Sequence, residues 1–350
     1  LIPIIGTTRT FLFFSLFLTL VALLGLGLTS GWRAALLWLW MPLVLALLAF
    51  LGVRGSIKAS TGQIYETESA YNYIQVIELD GYRYLRLNDG QGVHSMYHPQ
   101  DLIQHGPWMQ FLAGPFFNPP VYQPDQVESM AIVGLAAGTT ARQATAVFGP
   151  IPIDGFEIDP KIIEVGQEFF EMDLPNLNAI AQDGRWGLER SQQRYSLIAV
   201  DAYRPPYIPW HLTTREFFEL VRAHLNTDGV AVINVGRAPD DRRLVDGLAT
   251  TMGSVFPSVF VMDVPGTFNS IVYATVQPSS EDNLKANLIY LLEAEAIHPL
   301  LLEAVSRAAF NLQPLPASAE VFTDDRAPIE WITNNMVLNF VLFGDLEELQ

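Results

Sequence analysis

Glu157, Asp183 and Asp201 each follow a short apolar run, and a glycine-bounded loop, Gly134-Leu-Ala-Ala-Gly138, closes another. A carboxylate at a strand end can accept hydrogen bonds from two ribose hydroxyls, which suits Glu157. It can also accept from an adenine amino group, which suits Asp183. Asp201 falls beside the place where the reacting end of such a nucleoside would lie. The small residues from Gly134 to Gly138 let the backbone approach a ligand at a helix N-terminus. This loop is not Gly-x-Gly-x-x-Gly, which counts against a dinucleotide-binding fold. Asp159 precedes Pro160 and reads first as a helix cap. Four such loops in this order point to an S-adenosyl-type cofactor, although no single one does.

The elements that must hold these residues alternate. Strands are expected at 130–133, near 156, near 181 and at 197–200, with helix-length segments between them. That pattern is a doubly wound α/β domain of Rossmann type, whose ligands bind beyond the carboxyl ends of the strands. Thr213-Thr214-Arg215-Glu216 reads as a capping box opening a helix over 214–225. Asp228-Gly229 is expected to end that helix, and 230–235 is a fifth strand. A helix at 242–252 and strands at 259–264 and 270–276 complete the domain, and the chain from about 283 onward reads as helical.

Two apolar runs, 10–28 and 34–53, precede all of this, each about the 20 residues a membrane-spanning helix needs. The short linker between them dictates an antiparallel hairpin. Arg9, Arg54 and Lys58 flank its outer ends and only Arg33 lies in its turn, so the positive-inside rule places both ends in the cytoplasm. The expected location is a bacterial inner membrane with a cytoplasmic soluble domain. Residues 61–127 form a small β unit, with Leu79-Asp80-Gly81-Tyr82 and Asp89-Gly90 as hairpin turns. The aromatics Trp108, Phe111, Phe116 and Phe117 read as core. The domain division is therefore 1–60, 61–127, 128–280 and 281–350.

The 350 residues carry 20 Lys and Arg against 37 Asp and Glu, a net charge of −17, which disfavours a nucleic-acid partner. There is no cysteine, so disulfides and thiolate chemistry are excluded. The six histidines lack ligand spacing, and no metal is expected. Leu1 in place of Met suggests a processed or incomplete start.

The run from Asp201 through Ala-Tyr-Arg-Pro-Pro-Tyr-Ile-Pro-Trp-His-Leu-Thr-Thr-Arg-Glu-Phe-Phe resembles the spermidine synthase (polyamine aminopropyltransferase) family. It looks most like the branch fused behind membrane helices. The likeness covers roughly 63–276, and 323–331 is similar to that branch's terminal motif. It implies a methyltransferase-like sheet, decarboxylated S-adenosylmethionine (or S-adenosylmethionine) as co-substrate, a small amine acceptor, and a homodimer or a subunit of a membrane complex. By position, Glu157 would hold the ribose, Asp183 the adenine, and Asp201 would be the catalytic base. His94 stands where the family has a glutamine contacting the nucleoside. Tyr203, Arg204 and Asp325 are the acceptor-side candidates.

The chain departs from the family at two carboxylates. Ala137 and Arg204 stand where aspartates would face the amine. One charge pair at ~4 Å and an effective dielectric of ~20 is worth about 4 kcal/mol before desolvation, so these changes weaken the case for a dicationic substrate. Three functions remain: a membrane-anchored transferase with an amine acceptor, a degenerate structural or assembly subunit, and a methyltransferase on a non-diamine acceptor. Arg204 more readily pairs with a nearby acid than touches substrate. Asp324 and Asp325 most simply form a salt-bridged turn with Arg326.

Overall fold

The computed structural model describes residues 6–51, 57–58, 60–88, 92–103, 106–203, 207–315 and 320–343. The chain divides into two compact units, with the boundary between Val93 and His94.

In the first unit, the helix Thr7–Ser30 and the helical stretch Trp32–Phe50, 24 and 19 residues, are each long and apolar enough to cross a membrane. Gly31 alone separates them, at φ 89°. The two pack against one another. Gly27 admits the Trp32 ring at a point where a Cβ would lie 2.7 Å from it. Strands β1 (Gln63–Glu68), β2 (Tyr73–Leu79) and β3 (Tyr82–Leu87) are antiparallel. Leu79 pairs with Tyr82 across a two-residue turn, and Asp80 and Gly81 both take the positive φ that such a turn demands. The second expected turn, Asp89-Gly90, lies outside the described residues. Strand β4 (Val93–Tyr97) crosses the boundary between the units.

The second unit is built on an eight-stranded sheet of order β12-β10-β11-β9-β8-β5-β6-β7. Its strands are β5 (Met130–Val133), β6 (Ile153–Glu157), β7 (Leu177–Ala181), β8 (Tyr195–Val200), β9 (Leu225–Gly236), β10 (Ser258–Asp263), β11 (Asn269–Thr275) and β12 (Leu312–Gln313). The five from β7 to β9 run parallel, and β11, β10 and β12 are added antiparallel. Side chains alternate between two cores. Met130 and Ile132 pack on one face, with Phe111 and Phe116, while Ala131 and Val133 pack on the other, with Phe217 and Phe218. Burial on both faces explains why β5 and β8 are continuous apolar runs. Trp108, Phe111, Phe116 and Phe117 are core residues, and Phe117 stacks on Phe260 with ring centroids 4.4 Å apart.

Two elements differ from expectation. The helix after the Thr214 cap ends at Ala223, and β9 begins at Leu225 and runs through Asp228-Gly229. Gly229 is a tight bend inside the strand, where a Cβ would lie 2.7 Å from that of Leu225. In sequence, the Asp-Gly pair is indistinguishable from a terminating turn. Strand β12 covers the sheet edge with two residues, too few to show a period, inside a segment that reads as helical.

Candidate active site

Strand register lines up the site. Phe156, Val133, Val200 and Ile233 are paired across β6, β5, β8 and β9. The next residue of each strand is Glu157, Gly134, Asp201 and Asn234, so these four form a row along the carboxyl edge, roughly 5 Å apart from strand to strand. The chain passes from β5 outward to β7 and returns to β8 on the other side of β5, so the row lies across the topological switch point.

Gly134 is required there. Its φ is 91°, and a Cβ would come within 2.5 Å of the Asp201 carbonyl oxygen. Gly138, at φ 83°, caps the helix Thr139–Phe148. Between them Ala136 adopts φ 48° and donates its N–H to Glu157 Oε2 at 3.0 Å. The N–H of Asp159 donates to Glu157 Oε1 at 3.1 Å. Each Glu157 oxygen thus accepts one backbone donor and could accept a further hydroxyl. Burial pushes the Glu157 carboxyl up to about 7 against these backbone donors. Asp159 caps the helix Pro160–Phe169 through Lys161 N, the structural role its position suggests.

Asp183 caps the helix Gly184–Arg190, its Oδ1 accepting from Trp186 N at 3.0 Å. Its Oδ2 lies 2.9 Å from His211 Nε2, and this bond holds the carboxyl below the usual range against the opposing effect of burial. Asp201 Oδ1 accepts from Asn234 Nδ2 at 2.9 Å, and burial pushes its carboxyl up to about 6. Tyr203 is also raised by burial, and its hydroxyl accepts the Gly236 N–H. Burial lowers His94 to about 4, which keeps the ring neutral, and its Nε2 has no partner among the described residues. The next residue, Ser95, accepts the Ala137 N–H at 2.9 Å, and Thr139 Oγ1 holds both N–H and C=O of Met96. The segment carrying His94 is therefore tied to the glycine loop.

The acceptor-side candidates are only partly brought in. Arg204 lies outside the described residues. Asp325 is exposed on a turn closed by Thr323 and Arg326, and no hydrogen bond or ion pair joins it to Glu157, Asp183 or Asp201 among the described residues. The expected ion pairing within that turn is corrected. Arg326 pairs with Glu320 at 2.8 Å, and Asp324 forms a two-pronged pair with Arg185 at 2.8 and 2.7 Å. The Thr214 hydroxyl donates to Asp324, and Asp324 N–H donates to Glu216, so that glutamate serves the C-terminal segment rather than closing a capping box. The two-pronged bond to Arg185, with Thr214 and Glu216 holding Asp324 in place, favours this distant partner over Arg326, two positions on. Arg185 also donates to the His211 carbonyl at 3.0 Å, linking the terminal segment to the partner of Asp183. Asp324→Ala is expected to lower stability by about 1 kcal/mol, since the pair is part-exposed, and Asp325→Ala to leave it unchanged. Equal urea midpoints for the two variants would contradict this pairing.

Asn234, His211 and Arg185 are the site residues that the sequence reading missed. Asn234 carried a faint signal, as a lone amide in an apolar strand.

A parallel five-stranded core extended by antiparallel strands, with acidic residues at its carboxyl edge, defines the class as a Rossmann-like methyltransferase fold. A model of the spermine/spermidine synthase domain matches residues 120–285. The probable polyamine aminopropyl transferase of Bifidobacterium longum (strain NCC 2705) is 32% identical over 289 residues, 77% of this chain and 62% of that protein. The polyamine aminopropyltransferase of Vibrio vulnificus (strain CMCP6) is 31% identical over 235 residues, 64% of this chain and 75% of that protein. A crystal structure of a probable spermidine synthase from Corynebacterium glutamicum ATCC 13032 superposes with TM-score 0.56 at 18% identity, covering 75% of this chain and 97% of the other, a likeness of fold alone. The chain belongs to the spermidine synthase family, the polyamine aminopropyltransferases. It spans 62% of the Bifidobacterium relative's length.

Proposed function

We propose that this chain is a membrane-anchored aminopropyltransferase that takes decarboxylated S-adenosylmethionine as donor and an amine as acceptor. The observation that supports this most is the row Glu157, Gly134, Asp201 and Asn234, with a part-buried carboxylate at the switch point that no cation pairs with among the described residues. In the reaction the amine nitrogen attacks the aminopropyl carbon, the carbon–sulfur bond breaks, and methylthioadenosine leaves. Asp201, ionised at neutral pH, takes the proton from the attacking nitrogen. Glu157 and Asp183 hold ribose and adenine, and the neutral, unpartnered His94 ring offers the nucleoside a further polar contact. Family membership, with a carboxylate retained at Asp201, favours this reading over the structural-subunit and methyltransferase readings.

The acceptor differs from a plain diamine in this reading. Ala137 is buried and uncharged, and Arg204 cannot deprotonate to accommodate an ammonium group. Wild-type protein is expected to turn over putrescine poorly, and Arg204→Asp with Ala137→Asp to raise that activity. Methylthioadenosine release with putrescine, cadaverine and spermidine measures this, and robust wild-type turnover of putrescine would refute the acceptor assignment. The two apolar helices supply the anchor. Protease added to right-side-out vesicles is expected to spare the domain after Lys58, and digestion there would overturn the orientation.

A further inference from the structure

We propose that Asn234 and Asn269 are positioning residues for Asp201, a relay of two amides that dictates which oxygen of its carboxylate is left to receive the proton. The inference rests on the reading of Asp201 as the base. It is carried by three adjacent strands, with Asp201 just past the end of β8, Asn234 in β9 and Asn269 in β11 forming a hydrogen-bonded line.

Asn234 is 4% exposed, so water does not substitute for its partners. Its Nδ2 donates to Asp201 Oδ1 at 2.9 Å, and its Oδ1 accepts from Asn269 Nδ2 at 2.9 Å. A carboxamide has a donor end and an acceptor end. Flipping Asn234 would set its oxygen against the Asp201 carboxylate and its amino group against that of Asn269, losing both bonds. The Asp201 carboxylate, an acceptor only, demands the orientation in which Asn234 donates, and Asn269 supports that orientation by donating to the oxygen end. The backbone of Asn269 is held at the turn between β10 and β11, where its backbone N–H donates to Thr267 Oγ1 and its backbone carbonyl accepts from Val264 N.

The choice of an amide has a chemical consequence. A lysine or arginine at 234 would neutralise the carboxylate and weaken it as a base. An amide holds one oxygen without cancelling its charge, and Oδ2 has no hydrogen-bond partner among the described residues. The groups facing Asp201 are Gly134 from β5, Asn234 from β9 with Asn269 of β11 behind it, and the Tyr203 phenol beyond its own strand. Tyr203 is titratable, but burial keeps it protonated. Asn234 thus opposes the effect of burial on Asp201 with no charged helper among the described residues.

The test follows the Asp201 carboxyl by carbon-13 NMR in the substrate-free protein, alongside kcat/KM against pH. Wild-type Asp201 should titrate near 6. Asn234→Leu, which keeps the branched shape at a larger volume and removes the donor, should raise that midpoint by about one pH unit. It should lower kcat while leaving the methylthioadenosine Kd unchanged. Asn269→Ala, at a half-buried position that tolerates truncation if Asn234→Leu does not fold, should give a smaller rise. The double variant should match Asn234→Leu alone, because Asn269 acts only through Asn234. An unmoved midpoint in Asn234→Leu and Asn269→Ala, or additive shifts in the double variant, would overturn the relay. Full activity in Asp201→Asn would instead sink the base assignment, while the NMR midpoints would still decide whether the relay exists.

Discussion

Asp201→Asn is expected to lower aminopropyl transfer by about 10²- to 10⁴-fold, the range for removal of a positioned general base. The substitution keeps the side-chain volume, and its oxygen end can still accept from Asn234, so the nucleoside should bind with unchanged affinity. The pH profile adds a sign. Burial raises the Asp201 carboxyl from 3.8 to about 6, so the free enzyme carries a protonated base below that pH. Wild-type kcat/KM should therefore rise with pH through 6 and level off above it, and this acid limb should vanish in Asp201→Asn. The same shift makes a stability statement. The folded state holds a proton that the unfolded chain has released between about 3.8 and 6, so this group's contribution to stability falls as pH rises through that window. A variant that retains near-wild-type turnover would show that another group removes the proton.

The second large effect concerns Glu157. Glu157→Ala is expected to weaken methylthioadenosine binding by about 1–3 kcal/mol, the cost of losing hydrogen bonds to a charged acceptor. Its carboxyl stands at about 7 because it is buried, and ribose hydroxyls bind its ionised form. Affinity should thus increase as pH rises from 5 toward 8, bend near 7, and become flat in Glu157→Gln. Titration calorimetry at three pH values reads this directly. A pH-independent wild-type affinity would mean that Glu157 does not contact the ligand.

The parts of the fold legible in sequence were those written locally. Four strand ends with a glycine or an acid, the Asp159 cap and the Asp80-Gly81 turn each depend on neighbours a few residues away. The parts that were not legible depend on register or on distant pairing. Asn234 matters only because Ile233 aligns with Val200, which no periodicity discloses. Asp324 chose Arg185, 139 residues away, over the arginine two positions on, because Thr214 and Glu216 prepare a bonded socket for it. His211 sits in the loop that carried the family likeness, yet only the folded chain shows that it engages Asp183.

The nucleoside site is the foundation of the functional reading, and calorimetric binding of methylthioadenosine to the wild-type chain tests it most directly. Saturable binding that weakens in Glu157→Ala and is unaltered in Asp201→Asn is the expected result. An absence of heat or thermal shift with methylthioadenosine, S-adenosylmethionine and its decarboxylated form at millimolar concentration would contradict it.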